Sequence, residues 1–185
     1  MQEWNDVYFV SSNKHKYLEA KEILSSFGIK LGFFEASLVE IQSNSLSEIA
    51  RAKALDAFSK CKKPIIIEDD ALSVQSLGGF PGPYSSYVFD TIGNKGVVQL
   101  TKKSRAAKFY AVISYCDKRK KPILFEGITR GKIATKISGK GWGYDPIFIP
   151  QGKTKTYAQI SDKNTLSHRY RALDKFANWF MRMQR

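Results

Sequence analysis

The stretch "KPIIIEDDALS" over residues 63–73 constrains the fold more than any other. Its isoleucines are β-branched and apolar without a break, as expected of a short central strand whose two faces are both covered. The apolar run then stops at Glu68, Asp69 and Asp70. Carboxylates at the end of a buried strand are either a solvated turn or a ligand site, because open α/β sheets bind ligands beyond the carboxyl ends of their strands. The continuation "ALSVQSLGGFPGPYSSYV" crowds glycine and proline into residues 78–83, a backbone shaped for close approach.

Around that strand the chain alternates early between strand and helix. "VYFVSS" (7–12) reads as a buried strand. "HKYLEAKEILSSFG" follows it as a helix carrying Leu18, Ile23, Leu24 and Phe27, with Gly28 as the stop. Ser45 and Glu48 form a capping box for a second helix that turns Ile49, Ala50, Ala54, Ala57 and Phe58 inward and places Lys53 beside them. "RAAKFYAVISYCD" and "KKPILFEGITRGKIA" predict two antiparallel strands around the turn "KRKK". A last helix aligns Leu166, Tyr170, Leu173, Ala177 and Phe180. The predicted class is α/β with a mixed sheet, and no linker or repeat divides residues 1–185.

With 185 residues, 43 % of them hydrophobic, the chain can bury a substantial core. No apolar run approaches the ~20 residues of a membrane span, and "MQEWNDVYFV" lacks the features of a secretory signal, so the expected location is cytoplasmic. Cys61 and Cys116 are isolated and predict no disulfide. The formal charge of +13 draws anions, but the basic runs "KCKK" (60–63), "KKSR" (102–105) and "KRKK" (118–121) look like solvated loops rather than one stripe, which disfavours specific nucleic-acid binding.

Several segments carry chemistry with two readings each. In "SSNKHK", Ser11, Ser12, Asn13, Lys14, His15 and Lys16 open the first helix, and serve either as an ordinary N-cap or as a cradle for phosphate oxygens. "GKGWGYDPIFIP" sets Trp142 between glycines and follows it with Tyr144 and Asp145, so the rings are either core or a stacking surface for a base. "SHR" (167–169) holds one of the two histidines, either a satisfied structural residue or part of a site. "GKT" at 152–154 is not a P-loop, since the glycine it needs is Ile147; "GKGWGY" is not GxGxxG, and neither a zinc cluster nor a GxSxG elbow is present.

Taken in order, these segments closely resemble the inosine triphosphate pyrophosphatase family, which hydrolyses ITP, dITP and XTP to the monophosphate and pyrophosphate. "FVSSNKHKYLE" is similar to its (T/S)xNxxK loop, and "LVEIQ" with "SEIARAKA" to its metal-glutamate segment and lysine helix. "IIIEDDALSVQSLGGFPGPYSSYV" resembles its signature (E/D)D(S/T)GLxVxxLxGxPGxYS, and "GWGYDPIF" and "SHRYRAL" its last two motifs.

The resemblance implies a homodimer whose subunits have two lobes around a long, curved mixed sheet, with the active site in the cleft between them. It also implies roles. Ser11, Asn13 and Lys16 would hold phosphates within the loop 11–16, and Lys53 would reach the triphosphate. Glu40 and Asp69 would bind Mg²⁺, Asp69 also orienting or deprotonating the attacking water. Trp142 would stack on the purine, with Gly143, Tyr144, Asp145, Lys163, His168 and Arg169 around the base. Asp70 stands where the family has Ser or Thr, and Ala71 where it has Gly, so Asp70 is either a third metal ligand or points away. A basic nucleic-acid-binding module and a related nucleotide pyrophosphatase of the Maf-like kind are the competing readings. The first leaves the carboxylates of a buried strand unexplained; "SHR" and "GWGYDP" speak against the second.

Overall fold

Six strands form one mixed sheet: β1 (Val7–Ser11), β2 (Leu31–Glu35), β3 (Ile65–Val74), β4 (Ala106–Cys116), β5 (Ile123–Ile133) and β6 (Phe148–Pro150), in the order β2-β1-β3-β4-β5-β6. This computed structural model describes residues 6–101 and 104–183, so Lys102 and Lys103 of the basic run 102–105 lie outside the described residues, as does the first half of "MQEWNDVYFV". β1 runs parallel to β2, with Val7 opposite Leu31, and to β3, with Tyr8 opposite Ile65. β6 runs antiparallel to β5, with Ile133 opposite Phe148. β4 and β5 are neighbours joined by residues 117–122, too short for the crossover a parallel pair needs, so they form the expected hairpin.

The helices are α1 (Lys14–Ser25), α2 (Leu46–Cys61), α3 (Ser85–Thr91), α4 (Gly93–Leu100), α5 (Lys163–Leu166) and α6 (His168–Met183). Among the described residues, no helix is long and apolar enough to cross a membrane. Asn13 caps α1, its Oδ1 accepting from the backbone N–H groups of His15 and Lys16. Ser45 caps α2 by accepting from Glu48 N–H at 3.3 Å. The second arm of the expected capping box is relayed: Ser45 N–H donates to Ser43 Oγ, and that hydroxyl donates to Glu48.

The chain divides into two compact units. One comprises the residues through Asp69 together with Ala111–Gly127 and those from Arg169 onward; the other comprises Asp70–Tyr110 and Ile128–His168. The core of the first gathers Val7, Phe9, Leu24, Ile66, Ile113, Phe176 and Phe180 from strands and helices. That of the second gathers Leu72, Phe109, Ile133, Tyr144, Phe148 and Tyr157. Each such side chain taken from water contributes about 1.5–3 kcal/mol, which is what holds polar neighbours in place. In the second unit, Gly131 allows β5 and β6 to close: a Cβ there would collide with the Ile149 carbonyl.

Three expectations need correction. β3 does not stop at the acids but runs on to Val74, so Glu68, Asp69 and Asp70 lie inside a strand rather than at its end. Leu166 belongs to α5 and His168 opens α6, so the last apolar face begins later than predicted. Leu18 is 50 % exposed and packs no core. β2 lacked any clear sequence signal, since "LGFFE" is short and not alternating.

Candidate active site

Glu68 and Asp69, adjacent in β3, face different cations. Glu68 accepts two bonds from Arg169, from Nε to Oε2 and from Nη2 to Oε1, both 2.7 Å long. Lys16 Nζ stands 3.7 Å from the same carboxylate, and Arg169 Nη1 also donates to Glu19. The Arg169 and Glu68 side chains are 1 % and 0 % exposed. A buried charge persists only when paired and hydrogen-bonded, and the two-pronged guanidinium supplies both.

Asp69 accepts from Lys53 Nζ at 2.5 Å, and the same ammonium lies 2.5 Å from Glu40 Oε1. α2 brings Lys53 there from its buried face, where the residue is only 8 % exposed. Two carboxylates therefore converge on one cation. Among the described residues no three-ligand metal cluster exists. Mg²⁺, however, is commonly held by one or two carboxylates with substrate phosphates completing its shell, and the Glu40–Asp69 pair fits that donor set.

At the start of α1 the structure shows the N-cap reading. Asn13 is an N-cap: its N–H donates to Ser11 Oγ at 3.0 Å, and its side chain occupies the N–H groups of His15 and Lys16. Fewer backbone donors point outward than a bare helix end would offer. Ser12, Lys14 and His15 are exposed, whereas Lys16 is half-buried and turned to Glu68.

In the second unit, Asp70 lies 3.8 Å from His168 Nε2. His168 is 3 % exposed and stacks on Phe109 with centroids 4.6 Å apart and planes 9° from parallel. Asp145 accepts from Lys163 Nζ at 2.7 Å, and that ammonium stands 5.8 Å from the Trp142 ring centroid. Trp142 is half-buried, so part of its ring meets solvent. Tyr144 belongs to the core: its hydroxyl donates to the Ser85 carbonyl at 2.7 Å, and burial pushes its phenol above the usual tyrosine range. Gly143 follows Trp142 with φ +58, a conformation glycine adopts without strain.

Sequence reasoning passed over Glu19, Phe109, Ser85 and Asn94. Glu19 stands three residues after Lys16 on one helix face, a spacing that could have flagged it. Ser85 lies in the quoted "GPYSS", where its Oγ accepts from Leu72 N–H at 2.9 Å. Nothing in the sequence around Phe109 or Asn94 distinguishes them.

Residues 7–179 match the sequence profile of the Ham1 family. The chain belongs to the Ham1 family. It is 44 % identical to the dITP/XTP pyrophosphatase of Methanopyrus kandleri, over 94 % of this chain and 95 % of that protein. It is 42 % identical to that of Hyperthermus butylicus, over 94 % of this chain and 93 % of that one. Among solved structures, a HAM1 protein from Coxiella burnetii superposes with a TM-score of 0.82 at 25 % identity, covering 95 % of this chain and 99 % of that one. The Ham1 protein of Staphylococcus aureus superposes at 0.78 with 26 % identity, covering 96 % of this chain and 100 % of that one.

Proposed function

We propose that this chain hydrolyses non-standard purine nucleoside triphosphates, dITP, ITP and XTP, between the α and β phosphates, with Mg²⁺ bound, releasing the monophosphate and pyrophosphate. The observation that carries this reading is the convergence of Glu40 and Asp69 on one cation position held by Lys53. The family relatives named dITP/XTP pyrophosphatase supply the substrate class.

A triphosphate repels an incoming water because every phosphorus is ringed by negative oxygens. Mg²⁺ on Glu40 and Asp69 would neutralise part of that charge and draw the leaving pyrophosphate's electrons. Lys53, beside Glu40 and Asp69, supplies a further positive charge at that end. Asp69 orients or deprotonates the water. Lys16 and the loop from Ser11 through Lys14 and His15 hold phosphate oxygens, with Asn13 keeping the loop folded. Arg169, committed to Glu68 and Glu19, holds that stretch of β3 and α1 in register. This is electrostatic stabilisation without a covalent intermediate.

At the other end of the nucleotide, Trp142 offers a π-face for the purine. Lys163 and His168 are donors suited to a carbonyl at position 6, which an amino-purine would leave unpaired; such a mismatch costs several powers of ten in kcat/KM. Along a strand, neighbouring side chains face opposite ways, so Asp70 does not share a metal with Asp69 but orients His168. We read residues 1–185 as one domain, and the resemblance adds a homodimer to this reading. A pyrophosphate-release assay across ITP, XTP, dITP, ATP and GTP tests the assignment. We expect ITP, dITP and XTP to exceed ATP by at least ~10²-fold in kcat/KM. Equal rates on ATP contradict it, and no turnover with tight oligonucleotide binding favours a nucleic-acid-binding module.

A further inference from the structure

Trp142 begins a turn that closes through Asp145 N–H donating to the Trp142 carbonyl at 3.3 Å. Its third residue, Tyr144, has φ −91 and ψ 5, values shared by type I and type II′ turns. The turn type, and with it the direction of Trp142, therefore depends on Gly143, which has φ +58. Glycine takes this φ without strain, and nothing lies within 4 Å of where a Gly143 Cβ would be, so no neighbour packed on that side holds the turn.

One side chain does. Asn94, in the first turn of α4, donates from Nδ2 to the Gly143 carbonyl at 3.0 Å. The opposite end of that amide is poorly served: Asn94 Oδ1 is buried and has no hydrogen-bond partner among the described residues. A buried unpaired acceptor is unfavourable, so this amide contributes little to its own surroundings. The other ties on the turn behave differently. Tyr144 is anchored by the core and Ser85, and Asp145 by Lys163, whereas Asn94 is bonded to the Gly143 carbonyl itself, next to Trp142.

We infer that Asn94 is a positioning residue for base recognition: its amide holds the Gly143 carbonyl and so steadies the turn that carries the Trp142 ring toward the purine. This deepens the function proposed above and rests on Trp142 being the base platform.

The test compares Asn94→Ala and Asn94→Asp with Trp142→Leu in steady-state kinetics on ITP, alongside thermal unfolding. Removing the donor should raise KM about five- to tenfold, the weight of one net hydrogen bond, with kcat unchanged. Asn94→Ala also deletes the unpaired acceptor, so its Tm should stay the same or rise while KM worsens. A structural residue would lose both together. The inference is overturned if KM is unchanged in both Asn94 variants, or if KM rises only as Tm falls. If Trp142→Leu raises KM and Asn94→Ala does not, the inference alone fails. An unchanged KM in Trp142→Leu removes the platform reading and this inference with it.

Discussion

Arg169 shows how much one residue can hold. Its guanidinium joins Glu68 in β3 to Glu19 in α1, so removing it leaves a carboxylate with 0 % exposure facing no guanidinium. Breaking a buried pair in this way costs about 3–5 kcal/mol, far more than the intact pair contributes over an apolar substitute. Arg169→Met should therefore lower the urea midpoint sharply, and the paired replacement Arg169→Met with Glu68→Gln should recover part of the loss; equal loss in both variants would contradict the pairing argument. The carboxylates were visible in the sequence because they interrupt an apolar run. Their separate partners were not, because Arg169 lies 101 residues from Glu68 and 150 from Glu19. Which acid meets which base over such spans is decided by how the chain packs, and no local pattern carries it.

At the scale of elements, legibility follows how local the cause is. Ser45 was readable as a cap because the stabilising bond reaches only to Glu48. β3 was readable through its isoleucines but was cut short, since acidic residues disfavour strands; cations supplied by α2 and α6 override that preference and let the strand continue to Val74. The sequence of the loop 11–16 fits both a cap and a phosphate cradle, and the structure shows Asn13 as the cap. Replacing an N-cap costs about 1 kcal/mol. Asn13→Ala should lower stability by that amount and, because Lys16 follows on the same turn, also raise KM for the triphosphate. A stability loss with KM unchanged, measured by denaturant titration beside kinetics, would make Asn13 purely structural.

For the whole molecule, buried ionisable groups set the alkaline limit. Burial, with the nearby Asp117 carboxylate, pushes the Tyr115 phenol up to about 12. An unfolded tyrosine loses its proton near pH 10, so between about pH 10 and pH 12 the unfolded chain sheds a proton that the native state keeps. Stability from this source is complete below pH 10 and declines above it. Tyr115→Phe should shift the alkaline limb of a Tm-versus-pH curve upward while leaving the neutral region nearly unchanged; an unmoved limb would exclude Tyr115 as its origin. The net charge of +13 acts over longer range, attracting a polyanionic substrate in a way that salt screens. Composition makes that field legible at once, whereas the meeting of Glu40 and Asp69 on Lys53 is seen only in the folded chain.

The claim beneath all of this is that water enters at the α–β linkage of an oxo-purine triphosphate where Asp69 and Glu40 hold a divalent cation. Phosphorus NMR of the products from ITP, with Mg²⁺ and with chelator, for wild type and Asp69→Asn, tests it most directly. Wild type with Mg²⁺ should yield inosine monophosphate and pyrophosphate, with a loss of at least ~10²-fold with chelator or in the still-folded variant. Orthophosphate and a diphosphate as products, or undiminished turnover in Asp69→Asn, would contradict it.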